Sequence, residues 1–305
     1  MRQSGRSSVL LGALLLVASL AVGCGDSDSS GGKGLEKKTL TVTSLPLADA
    51  ATLYIAQKEK LFEAEGLNVK IKLVQQSVQA LPALAKGEVD VIAAANYVSF
   101  LLAQEKGTLK LSILSEGTTL TPNMMNVLVK PDSEIKTAKD LEGKKVAVNI
   151  LNNVQTLTLN TILKANNVDA SKVQYVVIPF PQMAAALEKG QVDAVHMVEP
   201  FISDTQKKLG ARVAVNGGGE PVTDLPISGY ISTQSFTSKN PKTAAAFQRA
   251  IIKAQQLAAG DRKRVEEVLP SYAKIDSQVA SVITLPNYSY RNASIGSSAA
   301  AFRAG

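Results

Sequence analysis

The sequence predicts a two-lobed α/β protein in which each lobe is a mainly parallel sheet flanked by helices. Strand-like and helix-like segments alternate through residues 39–93, and the same order returns through residues 145–197; such alternation is typical of parallel sheets. A heptapeptide also repeats, because LAKGEVD at 84–90 returns as LEKGQVD at 187–193. Two short strand-like segments bounded by prolines, 126–130 and 227–233, predict a hinge of two strands between the lobes.

The first lobe begins with an alternating strand over residues 39–43. Asp49 follows where an N-cap would open a helix over 50–65, which Gly66 ends. The run NVKIKLV at 68–74 alternates as a half-buried strand, residues 80–86 are helical, and 89–93 form a short buried strand. This order predicts one sheet with helices packed on it.

The second lobe repeats the order. We predict a strand over 145–148, a helix over 154–166, a strand over 173–178, a helix over 183–189 and a strand over 192–197. The heptapeptide repeat can arise by chance, since helix-to-strand connections favour glycine at the helix end; we interpret it as the same element in two similar lobes. From Pro241 the apolar residues recur at helical spacing, which predicts a return to the first lobe. The first lobe is then residues 38–125 and 231–305, and the second is 126–230.

The N-terminal residues predict export. Arg2 and Arg6 precede a leucine-rich, uncharged run that is too short to remain as a transmembrane helix, so residues 1–23 are interpreted as a signal peptide. The end of this segment, Ala21-Val22-Gly23-Cys24, resembles a bacterial lipobox. It predicts a lipid on Cys24 that holds the protein on the outer face of the cell membrane. The alternative is a free or structural cysteine beside an ordinary cleavage site. Residues 24–37 are rich in Gly, Ser and charges and predict a flexible tether.

The charge pattern argues against a nucleic-acid partner. The formal net charge of +7 falls to +5 when the two arginines of the signal peptide are removed. The basic residues are scattered, and the densest cluster, at 262–264, is followed by Glu266 and Glu267. Such a cluster is typical of a solvated helix face.

Four stretches carry a family resemblance: ATLYIAQKEKLFEAEGLNVKI at 51–71, ALAKGEVDV at 83–91, KDLEGKKVAV at 139–148, and ALEKGQVDAV at 186–195 followed by Glu199-Pro200. In this order they resemble the ABC-importer solute-binding proteins of the periplasmic-binding-protein type II fold, in the branch that binds aliphatic sulfonates, taurine, nitrate and thiamine-pyrimidine precursors. The resemblance covers residues 38–285 and implies a monomer that captures a small-molecule solute and delivers it to an ABC permease. The last 20 residues depart from the pattern.

The loops expected to hold the ligand follow the strands, where helix N-termini offer free N–H groups. These loops are rich in amides and contain no Lys or Arg, which favours a neutral or weakly basic heterocycle as the ligand. A sulfonate or nitrate usually requires an arginine, although several backbone N–H groups could bind the anion instead. Tyr97 is expected to stack on a ring, and the Glu199-Pro200 motif of the resembled family places Glu199 at the cleft. Each amide could instead cap a helix, and Glu199 could serve the first turn of the next helix. The candidate ligand-binding residues are Leu45, Gln75, Gln76, Ser77, Asn96, Tyr97, Asn149, Asn152, Asn153, Gln182 and Glu199.

An enzyme on the same fold, resembling a thiamine-pyrimidine synthase, is the alternative function. Those synthases carry a cysteine-rich motif, whereas this chain has only Cys24. The one histidine, His196, lies within a predicted strand and is interpreted as a core residue, and no GxSxG motif or metal-ligand spacing occurs. The glycine run at 217–219 lacks the Lys-Ser/Thr of a phosphate loop and predicts a flexible turn. We therefore expect no catalysis, cofactor or metal.

Overall fold

The computed structural model describes residues 34–107 and 109–288. The predicted signal peptide, the predicted lipidation site Cys24 and most of the predicted tether lie outside the described residues, as do the last 17 residues. The strands are β1 Thr39–Ser44, β2 Asn68–Leu73, β3 Val91–Asn96, β4 Leu111–Thr119, β5 Met125–Val129, β6 Lys145–Val148, β7 Gln174–Val177, β8 Ala194–Val198, β9 Arg212–Asn216, β10 Pro226–Thr233 and β11 Asn287–Tyr288.

Helices follow most of these strands, and four consecutive helices lie between β10 and β11. The helices are α1 Ala51–Lys58, α2 Leu61–Ala64, α3 Leu81–Lys86, α4 Tyr97–Glu105, α5 Val154–Ala165, α6 Phe180–Glu188, α7 Phe201–Leu209, α8 Gln234–Lys239, α9 Pro241–Gly260, α10 Arg262–Ala273 and α11 Ser277–Val282. The helix predicted over 50–65 is two helices, because Lys60 takes a left-handed conformation with φ of 54°. Asp49 does not cap it, since it lies in a short 3-10 turn, Ala48–Ala50, and Ala50 is the N-cap of α1.

The strands form two sheets with matching topology, ordered β2-β1-β3-β10-β4-β11 and β7-β6-β8-β5-β9. The two-lobed α/β architecture is thus confirmed. In the first sheet β2, β1, β3 and β4 run in one direction and β10 and β11 run in the other. In the second sheet β7, β6, β8 and β9 run in one direction and β5 runs in the other, so both sheets are mainly parallel in strand direction, as predicted. The antiparallel pairings involve the strands next to the crossings between the lobes, which enter a sheet without a crossover helix.

The heptapeptide repeat occupies the same place in both lobes. Asp90 Oδ2 accepts a hydrogen bond from the Thr41 N–H at 2.9 Å, at the start of β1. Asp193 Oδ2 accepts one from the Lys145 N–H at 2.8 Å, at the start of β6. The repeated aspartate therefore bonds to the second strand of each sheet, β1 in the first and β6 in the second.

Each lobe has its own core. In the first lobe, α9 packs on α1 and β4, and Phe247 of α9 stacks on Phe62 with ring centroids 5.5 Å apart. In the second lobe, strand β5 is buried along its whole length between β8 and β9. The two sheets are thus held by separate apolar clusters.

The crossings between the lobes differ from the predicted hinge strands. Of the first predicted hinge strand, residues 126–129 belong to β5, inside the second sheet, and residues 227–233 belong to β10, inside the first. The chain crosses at 120–124 and 217–225, where the Leu120 N–H donates to the Leu225 carbonyl and the Asp224 N–H donates to the Leu120 carbonyl, both at 2.9 Å. A short apolar run bounded by prolines fits an interior strand as well as a connecting one, which explains the misplacement.

The C-terminal described segment also reaches the second lobe. Helix α11 contacts α7, and Lys207 of α7 forms an ion pair with Asp276 at 2.7 Å. The chain then returns to the first sheet, where β11 pairs with β4. A third segment therefore touches both lobes.

The folded body begins before the predicted start at residue 38. The Lys37 N–H donates to Thr243 Oγ1 at 3.1 Å, and the Glu36 carboxylate accepts from the Lys242 and Thr243 N–H groups at 3.2 and 2.9 Å. Leu35 packs on the first core. These last residues of the predicted tether are held at the start of α9, because their side chains cap that helix.

Candidate functional site

A cavity lies between the lobes at the carboxyl ends of β1, β3, β6 and β8, where ligands bind in open α/β sheets. Its space, part of which is open to solvent, measures about 420 Å³. Both lobes contribute its lining, which is Leu45, Leu47, Asp49, Ser77, Ala94, Asn96, Met125, Asn149, Asn153, Val154, Gln155, Phe180, Val198, Ile227 and Ser228.

The first lobe contributes an amide at the start of α4. Asn96 Oδ1 accepts from the Ser99 N–H at 3.0 Å and thereby caps the helix. Its Nδ2 donates to Ser77 Oγ at 3.3 Å. The cap fixes the side chain, so the amide is held at the cavity wall in one orientation.

The second lobe contributes the loop before α5. The buried Gln155 Oε1 accepts from the Asn149 N–H at 2.8 Å and from Asn153 Nδ2 at 3.0 Å, while Gln155 Nε2 donates to the His196 carbonyl of β8. Asn153 in turn caps α5 by accepting from the Thr156 N–H at 3.1 Å. The Gln155 side chain therefore links the polar loop to strand β8 of the second sheet.

Hydrogen bonds join the lobes at the rim of the cavity. Gln76 Nε2 donates to the Asn149 carbonyl at 2.6 Å, and Asn149 Nδ2 donates to the Gln75 carbonyl at 3.1 Å. Ser99 Oγ of α4 donates to the Asn152 carbonyl at 3.0 Å. The structure is thus a closed arrangement of the two lobes.

The described cavity lining contains one acidic side chain and no basic side chain. No Lys, Arg or His occurs among the described residues that line it, and Asp49 is its one acidic side chain. Asp49 Oδ2 accepts from Ser228 Oγ at 2.8 Å and from Thr118 Oγ1 at 3.2 Å. Asp49 is 7% exposed, and burial raises the pKa of its carboxyl.

The structure brings most of the predicted residues to the cleft. Leu45, Ser77, Asn96, Asn149 and Asn153 line the cavity. The predicted Gln75, Gln76 and Asn152 lie at its rim, where they form the hydrogen bonds between the lobes.

Two predicted residues lie elsewhere. The Tyr97 side chain is buried in the first lobe against Gly229, where an added Cβ would lie 2.8 Å from its Cζ, so the ring does not face a ligand. Burial also raises the pKa of its hydroxyl. Gln182 is exposed in the first turn of α6 and is not part of the cavity lining.

Glu199 also lies outside the cavity lining. Its carboxylate accepts from the Ser203 N–H at 3.1 Å, from Ser203 Oγ at 2.8 Å and from the Thr284 N–H at 3.2 Å. Burial raises the pKa of this carboxyl. The motif therefore serves the first turn of α7, as its alternative interpretation predicted, and joins the second lobe to the C-terminal segment.

Sequence reasoning missed Asp49, Gln155 and Ser228 among the polar lining residues. Asp49 is the only acidic residue in the loop after β1, a signal that its interpretation as a helix cap concealed. Gln155 ends the predicted amide-rich loop, but its burial depends on the position of His196 in a strand far along the chain.

Residues 34–107 and 109–288 contain neither a metal-binding cluster nor a helix that could span a membrane. No group of three or more His, Cys, Asp or Glu side chains there is arranged to hold a metal ion. No helix in those ranges combines the length and apolar character needed to cross a bilayer.

Comparison with known proteins gives a consistent set of matches. The profile of a family described as NMT1/THI5 like matches residues 48–264. The nitrate/nitrite binding protein NrtA of Synechococcus elongatus is 28% identical over 256 residues, which are 75% of this chain and 57% of that protein's length. The taurine-binding periplasmic protein of Escherichia coli is 23% identical over 228 residues, covering 72% of this chain and 67% of that protein.

Solved structures share the fold. The periplasmic aliphatic sulphonate binding protein SsuA from Escherichia coli superimposes with a TM-score of 0.67 at 21% identity, covering 80% of this chain and 82% of that one. This likeness shows the two-lobed fold. The three proteins compared are binding proteins, as their names state.

Proposed function

The chain belongs to the NMT1/THI5-like family, and we propose that it is the substrate-binding lipoprotein of an ABC importer, which captures a small organic solute between its lobes and delivers it to a membrane permease. The observation that carries the proposal is the cavity at the strand ends, lined from both lobes and bordered by hydrogen bonds between them. Such a cavity encloses a ligand and reports its presence as a change of shape, which a permease can recognise.

The ligand that this lining favours is a neutral or weakly basic heterocycle, such as a thiamine-pyrimidine precursor. Amides from both lobes can donate and accept hydrogen bonds, and Leu47, Met125 and Phe180 offer an apolar wall. An aliphatic sulfonate or nitrate, as bound by relatives according to their names, would have to rely on amide and backbone N–H groups, because the described lining holds no cationic side chain.

Closure is proposed to occur about the two crossings at 120–124 and 217–225. The bonds between Gln76 and Asn149 and between Ser99 and Asn152 join the two lobes and would break if the lobes separated. Each neutral hydrogen bond contributes about 1 kcal/mol, so these contacts alone hold the lobes weakly. A ligand that touches both lobes then shifts the population towards the closed form, because it binds that form more tightly.

We also propose that a lipid on Cys24 anchors the protein to the membrane. Two acyl chains at that cysteine would anchor the protein to the outer face of the membrane, since a single chain holds only marginally. Anchoring raises the effective concentration of binder near its permease. Metabolic labelling with a radioactive fatty acid should mark the wild-type protein, and a Cys24→Ser variant should be unlabelled and released from the membrane; labelling that survives the substitution contradicts the lipid site.

We propose binding without turnover. The described cavity lining contains Ser77 and Ser228 but no histidine or lysine that could act as a base for either hydroxyl. The buried His196 belongs to the central strand β8, outside the lining. Conversion of any bound compound by the purified protein would instead support the synthase-like alternative.

The test combines mass spectrometry of compounds that co-purify with a thermal-shift panel of sulfonates, nitrate, pyrimidines and flavin-like compounds. A ligand of the folded state raises the melting temperature by mass action. Asn149→Ala removes an amide from the cavity and should weaken that shift, whereas Asn160→Ala, which removes an exposed amide bonded to the Tyr175 hydroxyl at 2.6 Å, should leave it unchanged. A panel without any shift, together with no co-purifying compound, contradicts the proposed function.

A further inference from the structure

We propose that Asp49 selects the ligand: its second carboxylate oxygen takes an N–H donor from an amine-bearing or cationic organic solute, and the same carboxylate excludes anions. The inference rests on the proposed function and narrows its ligand class. It separates this chain from relatives that are named for nitrate and for aliphatic sulphonates.

The geometry leaves one oxygen of Asp49 unused. Oδ2 accepts from Ser228 and Thr118, whereas Oδ1 is buried and accepts no hydrogen bond from the described residues. A buried carboxylate without a full set of donors is unfavourable, and proteins normally pair such a group or keep it protonated. Asp49 forms part of the cavity lining, and we infer that a bound molecule supplies the missing donor to Oδ1.

Neighbouring side chains are committed to other partners. The Tyr230 hydroxyl shares a hydrogen bond with Thr52 Oγ1 at 2.6 Å. The Tyr272 hydroxyl donates to the Leu47 carbonyl and the Tyr288 hydroxyl to the Ala48 carbonyl, both at 3.0 Å. Tyr272 and Tyr288 hold the backbone of the turn that carries Asp49, and none of the three tyrosines supplies a charge to it.

The rest of the cavity agrees with an amine on an apolar body. The wall beside Asp49 contains Leu45, Leu47 and Ile227, and the opposite lobe contributes Phe180 and the Asn149 amide. A nitrate or sulfonate placed there would meet a carboxylate without any lining cation to offset the repulsion. An N–H group of positive charge would meet an acceptor that is already in place.

The experiment compares the wild-type protein with Asp49→Asn, which keeps the shape and can still accept from Ser228. Asp169→Asn, an exposed carboxylate that caps a short turn, controls for the lost charge. Each protein is titrated by calorimetry and thermal shift with two series of probes on the same rings: aminomethyl-substituted pyrimidines and pyridines, and the corresponding methanesulfonates. Inorganic nitrate and taurine complete the panel.

We expect at least one amine to bind the wild type and the Asp169→Asn control equally, and to bind Asp49→Asn at least tenfold more weakly. The sulfonates and nitrate should bind none of the three. The melting temperature of unliganded Asp49→Asn should equal or exceed that of wild type, because the substitution removes a buried, incompletely paired carboxyl.

Three results overturn the inference. The first is an amine that binds Asp49→Asn as tightly as wild type, and the second is a sulfonate or nitrate that binds wild type while every amine fails. In this second case, the proposed function still stands if the anion raises the melting temperature of the wild type but not that of Asn149→Ala. The third is a panel in which no amine and no anion binds, which overturns the proposed function as well when nothing co-purifies.

Discussion

The close contact between the two crossings predicts a large effect of one added methyl group at Gly218. This residue lies in the second crossing, and its N–H donates to Asn216 Oδ1 at 3.1 Å. A Cβ at Gly218 would overlap the carbonyl oxygen of Thr121 in the first crossing and would lie 3.1 Å from its carbonyl carbon and 3.3 Å from Leu120 Cγ. Carbon atoms in good contact are about 3.5–4.0 Å apart, so Gly218→Ala forces the crossings to separate.

The loss of stability caused by Gly218→Ala has two parts. Overpacking of a tight contact costs about 1–3 kcal/mol. The Thr121 carbonyl also accepts from the Met124 N–H at 3.2 Å, and displacing it weakens a bond that contributes about 1 kcal/mol. The total is about 2–4 kcal/mol, and a domain of this size loses about 2–4 °C of melting temperature per kcal/mol. We therefore expect Gly218→Ala to melt about 10 °C below wild type.

Thermal and urea unfolding measure this effect, and Gly260→Ala is the matched control. Gly260 ends α9, and no atom lies within 4 Å of its added Cβ, so the same substitution should leave stability unchanged or raise it. A Gly218→Ala protein that melts within about 1 °C of the control would show that the crossings do not pack as described.

Three further predictions concern buried polar groups. Gln155→Leu leaves three buried polar groups without their partner and should lower the unfolding free energy by about 2–4 kcal/mol in urea, whereas an unchanged midpoint would contradict its role in the polar loop. Burial lowers the pKa of His196 to about 3 from 6.5, so the unfolded chain takes up a proton first and the free energy of unfolding falls as the pH drops from 6.5 towards 3. Urea unfolding should show a loss of about 2 kcal/mol between pH 7.5 and pH 5 that is absent in His196→Met. Equal losses in both proteins would refute the depressed pKa. Glu199→Ala should speed hydrogen exchange at the Thr284 amide while ligand affinity stays within about threefold, and a tenfold weaker affinity would return Glu199 to the ligand site.

Local patterns were sufficient for the elements that define each lobe. The strand predicted over 145–148 matches β6, because alternating apolar residues after a turn leave little choice. The repeated heptapeptide predicts one element in two lobes. Asp90 and Asp193 agree with this, because each accepts a hydrogen bond from a backbone N–H of the neighbouring strand in its lobe. The crossings were misplaced, since strand order depends on pairings between distant residues such as those of β10 with β3 and β4.

The candidate site was predictable to the extent that it follows from topology. The rule that ligands lie beyond strand ends was sufficient to find Asn96, Asn149 and Asn153. It failed for Tyr97, because the direction of a side chain at a helix start depends on which face the helix buries. Asp49 was missed because a short acidic turn after a strand looks like a helix cap, and only the fold brings Ser228 against it.

The measurement that tests the central claim most directly is small-angle X-ray scattering of the wild-type protein with and without a ligand that raises its melting temperature. If a solute is captured between the lobes and draws them together, the ligand should reduce the radius of gyration and the maximum dimension. The Asn149→Ala variant should need more ligand for the same change, since it lacks one bond across the cleft. Scattering profiles that superimpose with and without saturating ligand would contradict capture by closure.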